Sequence, residues 1–311
     1  MTRNPVRSFL TVADWSADEL RSMLERARDL RRMFHEGERP QTLQGRTLAM
    51  YFEKPSLRTH VTFEAGMTQL GGHAILLRPE QVGIGTRESP TDVARNLSRW
   101  VDGIMARTFS HALVEQLAAE ATIPVINGLT DLLHPCQAMA DLQTVAEVME
   151  PKAARIAYVG DGNNVANSLL LLAAVLGLDL RVATPRTHRP AQRIAKQAAE
   201  LARRSGARID VLDDPVEAVR GASFVYTDTW TSMGQEAEAE QRRQIFAAYQ
   251  VNDALLAHAP DAWVMHCLPA HRGEEITSDV LDGERSLVYE QAENRLHAQK
   301  AVLEAVMLGP R

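Results

Sequence analysis

An α/β architecture of two doubly wound parallel sheets, one in each half of the chain, follows from three observations. Short apolar runs alternate with segments of helical periodicity along the whole length. The alternation pauses once, at a single helix over 134–149 followed by Pro151 and Lys152. A chain of 311 residues also exceeds what one hydrophobic core usually organises. With 45% hydrophobic and 24% charged residues the composition is ordinary for globular proteins, which excludes a disordered or fibrous chain.

Taken in order, Ser16 and Glu19 form a capping box, and Leu20, Met23, Leu24 and Leu30 recur at helical spacing up to Gly37. An amphipathic helix therefore opens the chain. Strands are predicted at 47–52, 73–77, 103–108 and 124–129, with a helix at 110–121 between the last two. The pattern resumes at 155–160, 180–184, 208–212, 224–228 and 263–268, which implies a second parallel sheet. The run from Leu169 to Leu178 is too short to span a bilayer and reads as a buried helix. A last helix, 289–308, can pack on either half by its pattern alone. The domain boundary falls near 148/149.

A net charge of -6 offers no general attraction for nucleic acid or an anionic membrane, so any anion must be caught locally. Arg3 and Arg7 precede no apolar stretch of signal-peptide length. Cys136 and Cys267 lack metal-ligand spacing and fit a reducing, cytoplasmic setting.

In open parallel sheets ligands bind beyond the carboxyl ends of the strands, so the polar residues there are the candidates. After the first strand come Glu53 to His60, where hydroxyls and a guanidinium meet a helix N-terminus suited to phosphate; the competing reading is a capping Ser56 beside an exposed Arg58. Arg107 follows the third strand, and His134, Pro135, Cys136 and Gln137 the fourth. Three strand ends that all supply donors favour an anion site in the first half. In the second half, Gly160 to Asn164 follows a strand but lacks the third glycine of G-x-G-x-x-G, which disfavours a nicotinamide enzyme. Asp228 leads into a polar loop, 229–234, long enough to close over a ligand or to be an ordinary solvated turn. In His266 to Arg272, Cys267 reads either as a nucleophile or as a buried thiol, and His271 and Arg272 equally as surface charges.

These blocks resemble the aspartate/ornithine carbamoyltransferase family, nearest its ornithine branch, over almost the whole length. The matches are Phe52 to Thr59, His134-Pro135-Cys136-Gln137, Asp161-Gly162-Asn163-Asn164, Asp228 to Gly234 and His266-Cys267-Leu268-Pro269-Ala270. The resemblance implies two Rossmann-like domains with the active site in the cleft between them. Residues 1–148 would be the carbamoyl-phosphate domain, completed by the returning helix 289–311, and 149–288 the ornithine domain. It implies that Ser56, the backbone at Leu57, Arg58 and Thr59 bind phosphate, that Arg107, His134 and Gln137 hold the carbamoyl group, and that Arg295 closes the same pocket. Asn164, Asp228, Ser232, Met233, Cys267 and Leu268 would grip ornithine, with Cys267, Arg107, His134, Thr59 and Asp228 as the catalytic set. No metal or organic cofactor is implied; the partners are carbamoyl phosphate and L-ornithine, and the assembly a homotrimer or a multiple of trimers.

The sequence departs from the family pattern at three places. Leu57 replaces the usual Thr, His60 replaces a second Arg, and Gly83 stands where many relatives place a Gln; that Gln's role is not carried to nearby Gln81. A sensor that keeps the fold without catalysis, and transfer to another amine such as putrescine, are the alternatives. Retention of both half-sites argues against the first, and Asp228 with the Ser232 loop against the second.

Overall fold

The structure, a computed structural model, describes residues 7–308 apart from 232, 233 and 235. Its contacts divide the chain into two units, residues 1–140 with 294–311, and residues 141–293. The divisions fall inside the helices Pro135–Val148 and Val288–Met307, so each of these long helices begins in one unit and ends in the other.

In the first unit, β1 (Thr47–Phe52), β2 (His73–Leu77), β3 (Gly103–Arg107) and β4 (Val125–Leu129) form one parallel sheet in the order β2-β1-β3-β4. Strands β3 and β4 are buried at every position, which is why they read as unbroken apolar runs. In the second unit, β5 (Arg155–Val159), β6 (Asp179–Ala183), β7 (Arg208–Leu212), β8 (Phe224–Thr227) and β9 (Trp263–His266) take the order β7-β6-β5-β8-β9, again all parallel. Each order reverses once, between β1 and β3 and between β5 and β8. In open α/β sheets a ligand crevice opens outside the carboxyl ends of the strands at such a reversal.

The opening helix, Ala17–His35, carries the predicted box: Ser16 accepts from Glu19 N–H, and the Glu19 carboxylate accepts from Ser16 N–H at 2.8 Å. The apolar run near 170 lies in the helix Asn164–Leu176, which the left-handed Gly177 (φ 75°) terminates. Among the described residues no helix is long and apolar enough to cross a membrane.

Several strands stop short of the predicted bounds. Thr108, Asp228, Cys267 and Leu268 lie outside their ladders, and Leu268 has φ 55°, a left-handed conformation that no strand admits. Beyond the ladder a side chain can turn from the sheet faces toward the strand end.

Candidate active site

In the first unit, Phe52 at the end of β1 sits opposite Arg107, the last residue of β3, so the loop after β1 and the Arg107 side chain meet at the reversal. The loop is braced on both flanks. Glu53 N–H donates to Arg107 O at 2.8 Å, the Glu53 carboxylate accepts from Phe109 N–H at 2.9 Å, and buried Lys54 pairs with Asp131. The loop ends at Ser56, whose hydroxyl oxygen accepts from Thr59 N–H at 3.2 Å and starts the helix Leu57–Gln69. The capping reading of Ser56 therefore holds, and it leaves the hydroxyl proton available to a ligand. The first turn carries no acidic side chain, so the positive end of the helix is unopposed. The Leu57 side chain is 73% exposed, and its backbone sits in that first turn.

Thr59 is the hub. Its hydroxyl oxygen accepts from Arg107 Nη1 at 3.2 Å and from Arg295 Nη2 at 3.1 Å. Arg295 Nη1 in turn donates to Gln137 Oε1 at 2.6 Å. Thr59, Arg107, Gln137 and Arg295 are all buried, so the guanidiniums are held in register by polar partners. An oxygen already accepting from two cations must direct its own proton elsewhere, and Thr59 becomes a fixed O–H donor. Burial, with Arg295, Arg107 and Arg58 nearby, holds His134 well below the usual imidazole range. At neutral pH the ring is thus uncharged and offers an N–H rather than a second cation. Cys136 is structural: burial pushes its thiol up to about 12, and Sγ faces Asn127 O at 3.6 Å.

The departures acquire physical readings. His60 pairs with Glu64 one turn along its own helix at 3.0 Å, with its ring against Phe52. Gly83 ends a short helix at φ 66°, and a Cβ there would stand 2.8 Å from Arg87 Cβ, so no Gln fits without rearrangement. Gln81 is engaged locally, accepting from Arg78 N–H at 3.0 Å.

In the second unit the loop after β5 meets the end of β8. Gly162 approaches the segment 188–190 so closely that a Cβ would lie 2.3 Å from Pro190 N. Asn163 caps the helix Asn164–Leu176, its Oδ1 accepting from Val165 and Ala166 N–H at 2.9 and 3.2 Å. Its Nδ2 donates to Asp228 Oδ2 at 2.7 Å. The other Asp228 oxygen accepts from Thr229 N–H at 2.8 Å and from the Cys267 thiol at 3.0 Å. Asp228 and Cys267 are thereby brought together; Asn164 opens the adjoining helix and Leu268 follows the thiol. Ser232 and Met233 lie outside the described residues. Sequence reasoning named Asn164 and passed over Asn163, although an Asn just before an apolar helical run is a capping signal. It also passed over Arg242, which ion-pairs with Asp161 and donates to Trp230 O at 2.5 Å, anchoring the start of the loop after β8. Burial pushes the Asp161 carboxyl up, to about 7, against the opposing pull of Arg242.

Burial first, and the Asp228 carboxylate second, hold the Cys267 thiol well above its usual range. Cys267 is therefore an S–H donor in the resting protein and not an activated thiolate. Peptide-resolved alkylation by iodoacetamide should find Cys267 slower than free cysteine at pH 8 and accelerating only in stronger alkali. A reaction midpoint at or below about 8.5, the value for an unperturbed thiol, overturns this assignment.

Comparison with known proteins identifies the family to which the two units belong. Residues 7–147 match the aspartate/ornithine carbamoyltransferase carbamoyl-P binding domain, and residues 152–306 match the Asp/Orn binding domain of the same family. An ornithine carbamoyltransferase of Anoxybacillus flavithermus is 53% identical over 303 residues, covering 97% of this chain and 96% of the relative. An anabolic ornithine carbamoyltransferase of Pyrococcus furiosus is 52% identical, with 97% of each chain covered. The solved Pyrococcus furiosus ornithine carbamoyltransferase superposes with a TM-score of 0.95 at 50% identity over 98% of each chain. Two all-parallel sheets, a close superposition on a solved relative, and domain matches over nearly the full length converge: the chain belongs to the aspartate/ornithine carbamoyltransferase family.

Proposed function

We propose that the protein transfers the carbamoyl group of carbamoyl phosphate to the side-chain amine of L-ornithine, giving L-citrulline and phosphate. The observation that carries this reading is the opposite sign of the two strand-end constellations. One presents Arg107, Arg295, Thr59 and the helix start at Ser56; the other presents the buried Asp228 carboxylate. The first suits a doubly charged anhydride and the second an ammonium group.

In this mechanism the phosphoryl oxygens rest on Arg58, the hydroxyl of Ser56 and the backbone N–H groups of the first helical turn. The amine attacks the carbonyl, a C–N bond forms, and negative charge moves onto the carbonyl oxygen. Thr59 O–H, Arg107 and His134 N–H meet that charge, stabilising the transition state more than the substrate. The C–O bond to phosphate then breaks, and the proton lost by nitrogen ends on the departing phosphate. A free amine of this kind has a pKa of about 10.4, so it must enter deprotonated or lose its proton on the site. Asp228 draws the cation in, and the Cys267 thiol, fixed on Asp228, orients it.

Asp228 also sets specificity, because a second substrate carboxylate, as in aspartate, meets the wrong charge there. A colorimetric assay of carbamoylated product should rank ornithine above putrescine, aspartate and acetylornithine. Any other order overturns the substrate assignment, and binding of both substrates without citrulline supports a non-catalytic sensor. Leu57 and Val61, exposed one turn apart on the same helix, support a trimer in which that face is covered by another copy. The two free thiols, Cys136 and Cys267, support a reducing compartment such as the cytoplasm.

A further inference from the structure

We infer that the loop after β9 binds a divalent transition-metal cation between His271, Glu274 and Glu275. One ring nitrogen of His271 and one carboxylate oxygen of each glutamate lie within 4.8 Å of one another. Two carboxylates gathered at one point repel unless a cation stands between them. Arg243 answers only part of that need. Its Nε donates to Glu274 Oε1 at 3.0 Å, and among the described residues it makes no bond to Glu275.

A second, independent observation lies in Glu275. The residue is 0% exposed, yet only one of its oxygens is satisfied. Oε1 accepts from His271 N–H at 2.6 Å and faces His266 Nε2 at 3.0 Å. Oε2 is buried and has no hydrogen-bond partner among the described residues. A buried acceptor without a donor carries its full desolvation penalty, and a charged one carries more. Oε2 is turned to the His271 ring, whose Nδ1 stands 3.9 Å away. That separation distinguishes two kinds of contact. It exceeds the N–O distance of a hydrogen bond, about 3.2 Å at most. It is shorter than the roughly 4.2 Å between two ligands on opposite sides of an ion whose bonds are about 2.1 Å. An ion therefore fits between the two atoms where a direct bond does not. The imidazole is 47% exposed, which opens this side of the buried carboxylate to solvent ions.

The ligands are gathered before any ion arrives. Val251 N–H donates to Glu275 O at 2.8 Å, and Gln250 Nε2 donates to Gly273 O and Glu274 O at 2.9 and 2.8 Å. Little chain freedom is then lost on binding. One imidazole with two carboxylates suits ions from Mn2+ to Zn2+, whereas the other clustered set, Asp228, His266 and Cys267, carries a thiol and favours softer ions. Mn2+ is thus the discriminating probe.

The test titrates Mn2+ into the metal-free, full-length protein, reading free ion by electron paramagnetic resonance and the unfolding midpoint by calorimetry. Binding should saturate at one ion per chain and raise the midpoint, since an ion that prefers the folded state stabilises it. His271→Ala and Glu274→Ala should each weaken binding by about tenfold or more and remove the midpoint shift. Both side chains are partly exposed and Glu275 stays in place, so these variants keep the buried contacts intact. Asp228→Asn should bind Mn2+ as the unaltered protein does. Absence of saturable binding, or equal affinity in His271→Ala, overturns the inference. So does binding that survives His271→Ala and disappears in Asp228→Asn, because the ion then belongs to the strand-end pair.

Discussion

Replacing Arg58 by alanine is expected to lower kcat/KM for carbamoyl phosphate by about 10² to 10³, equivalent to ~3–4 kcal/mol of transition-state stabilisation. The side chain is half-buried in the first turn of Leu57–Gln69, where it strengthens the positive field at the helix start. It is not part of the apolar core, so the unfolding midpoint should stay close to that of the unaltered protein. A second effect follows from charge. Arg58, after burial, Arg295 and Arg107, is one of the influences holding His134 below the usual imidazole range. Its removal lets that pKa rise, the ring becomes protonated at a higher pH than before, and the acid limb of the rate profile should move toward neutrality. Steady-state kinetics from pH 5 to 9, roughly the window in which histidine titrates, reads both effects. Near-normal kcat/KM, or an acid limb that stays in place, removes Arg58 from the phosphate site.

Much of the fold is legible in the sequence because parallel strands leave short apolar runs bounded by turns: Thr47–Phe52, His73–Leu77 and Arg208–Leu212 begin and end where the pattern does. The strand ends are less legible because local contacts override pattern there. Asp228, Cys267 and Leu268 continue apolar or alternating runs yet leave the ladder: the side chains of Asp228 and Cys267 turn to each other, and Leu268 takes a left-handed backbone. The helix Val288–Met307 shows another limit. It buries Gln291, Asn294, Arg295, Gln299 and Lys300, and no hydrophobic stripe announces which half it packs on; the side-chain bonds of Arg295 to Gln137 and Thr59, of Lys300 to Gln69 and of Glu304 to Arg26 do so. Family resemblance supplied Arg295, but it did not supply Asn163 as the cap that holds Asp228. Asn163 hides in the motif that names its neighbour, because what a side chain reaches is a property of the fold and not of residue type.

Asp228→Asn is expected to reduce kcat/KM for ornithine by about 10² to 10³, with the KM for carbamoyl phosphate unchanged, since removing one partner of a buried charged pair costs about 2–5 kcal/mol. The exchange is nearly isosteric but reverses one hydrogen-bonding valence. Asp228 accepts at both oxygens, from Asn163 on one side and from Thr229 and Cys267 on the other. An amide must turn its NH2 toward one of those sides and set donor against donor, at a cost of about 1–3 kcal/mol. The lost charge has an opposite signature at the thiol. The Asp228 carboxylate is the largest influence after burial that holds Cys267 high, so in the variant the thiol pKa falls toward its ordinary range. The alkylation rate of Cys267 at pH 8 should then rise while turnover falls. General unfolding would also expose Cys136 to reagent, which the folded variant keeps buried, and so the two causes separate in one digest. An Asp228→Asn variant that retains its ornithine kcat/KM would show that the amine is steered by some other group, and the assignment of the second half-site would have to be rebuilt without its carboxylate.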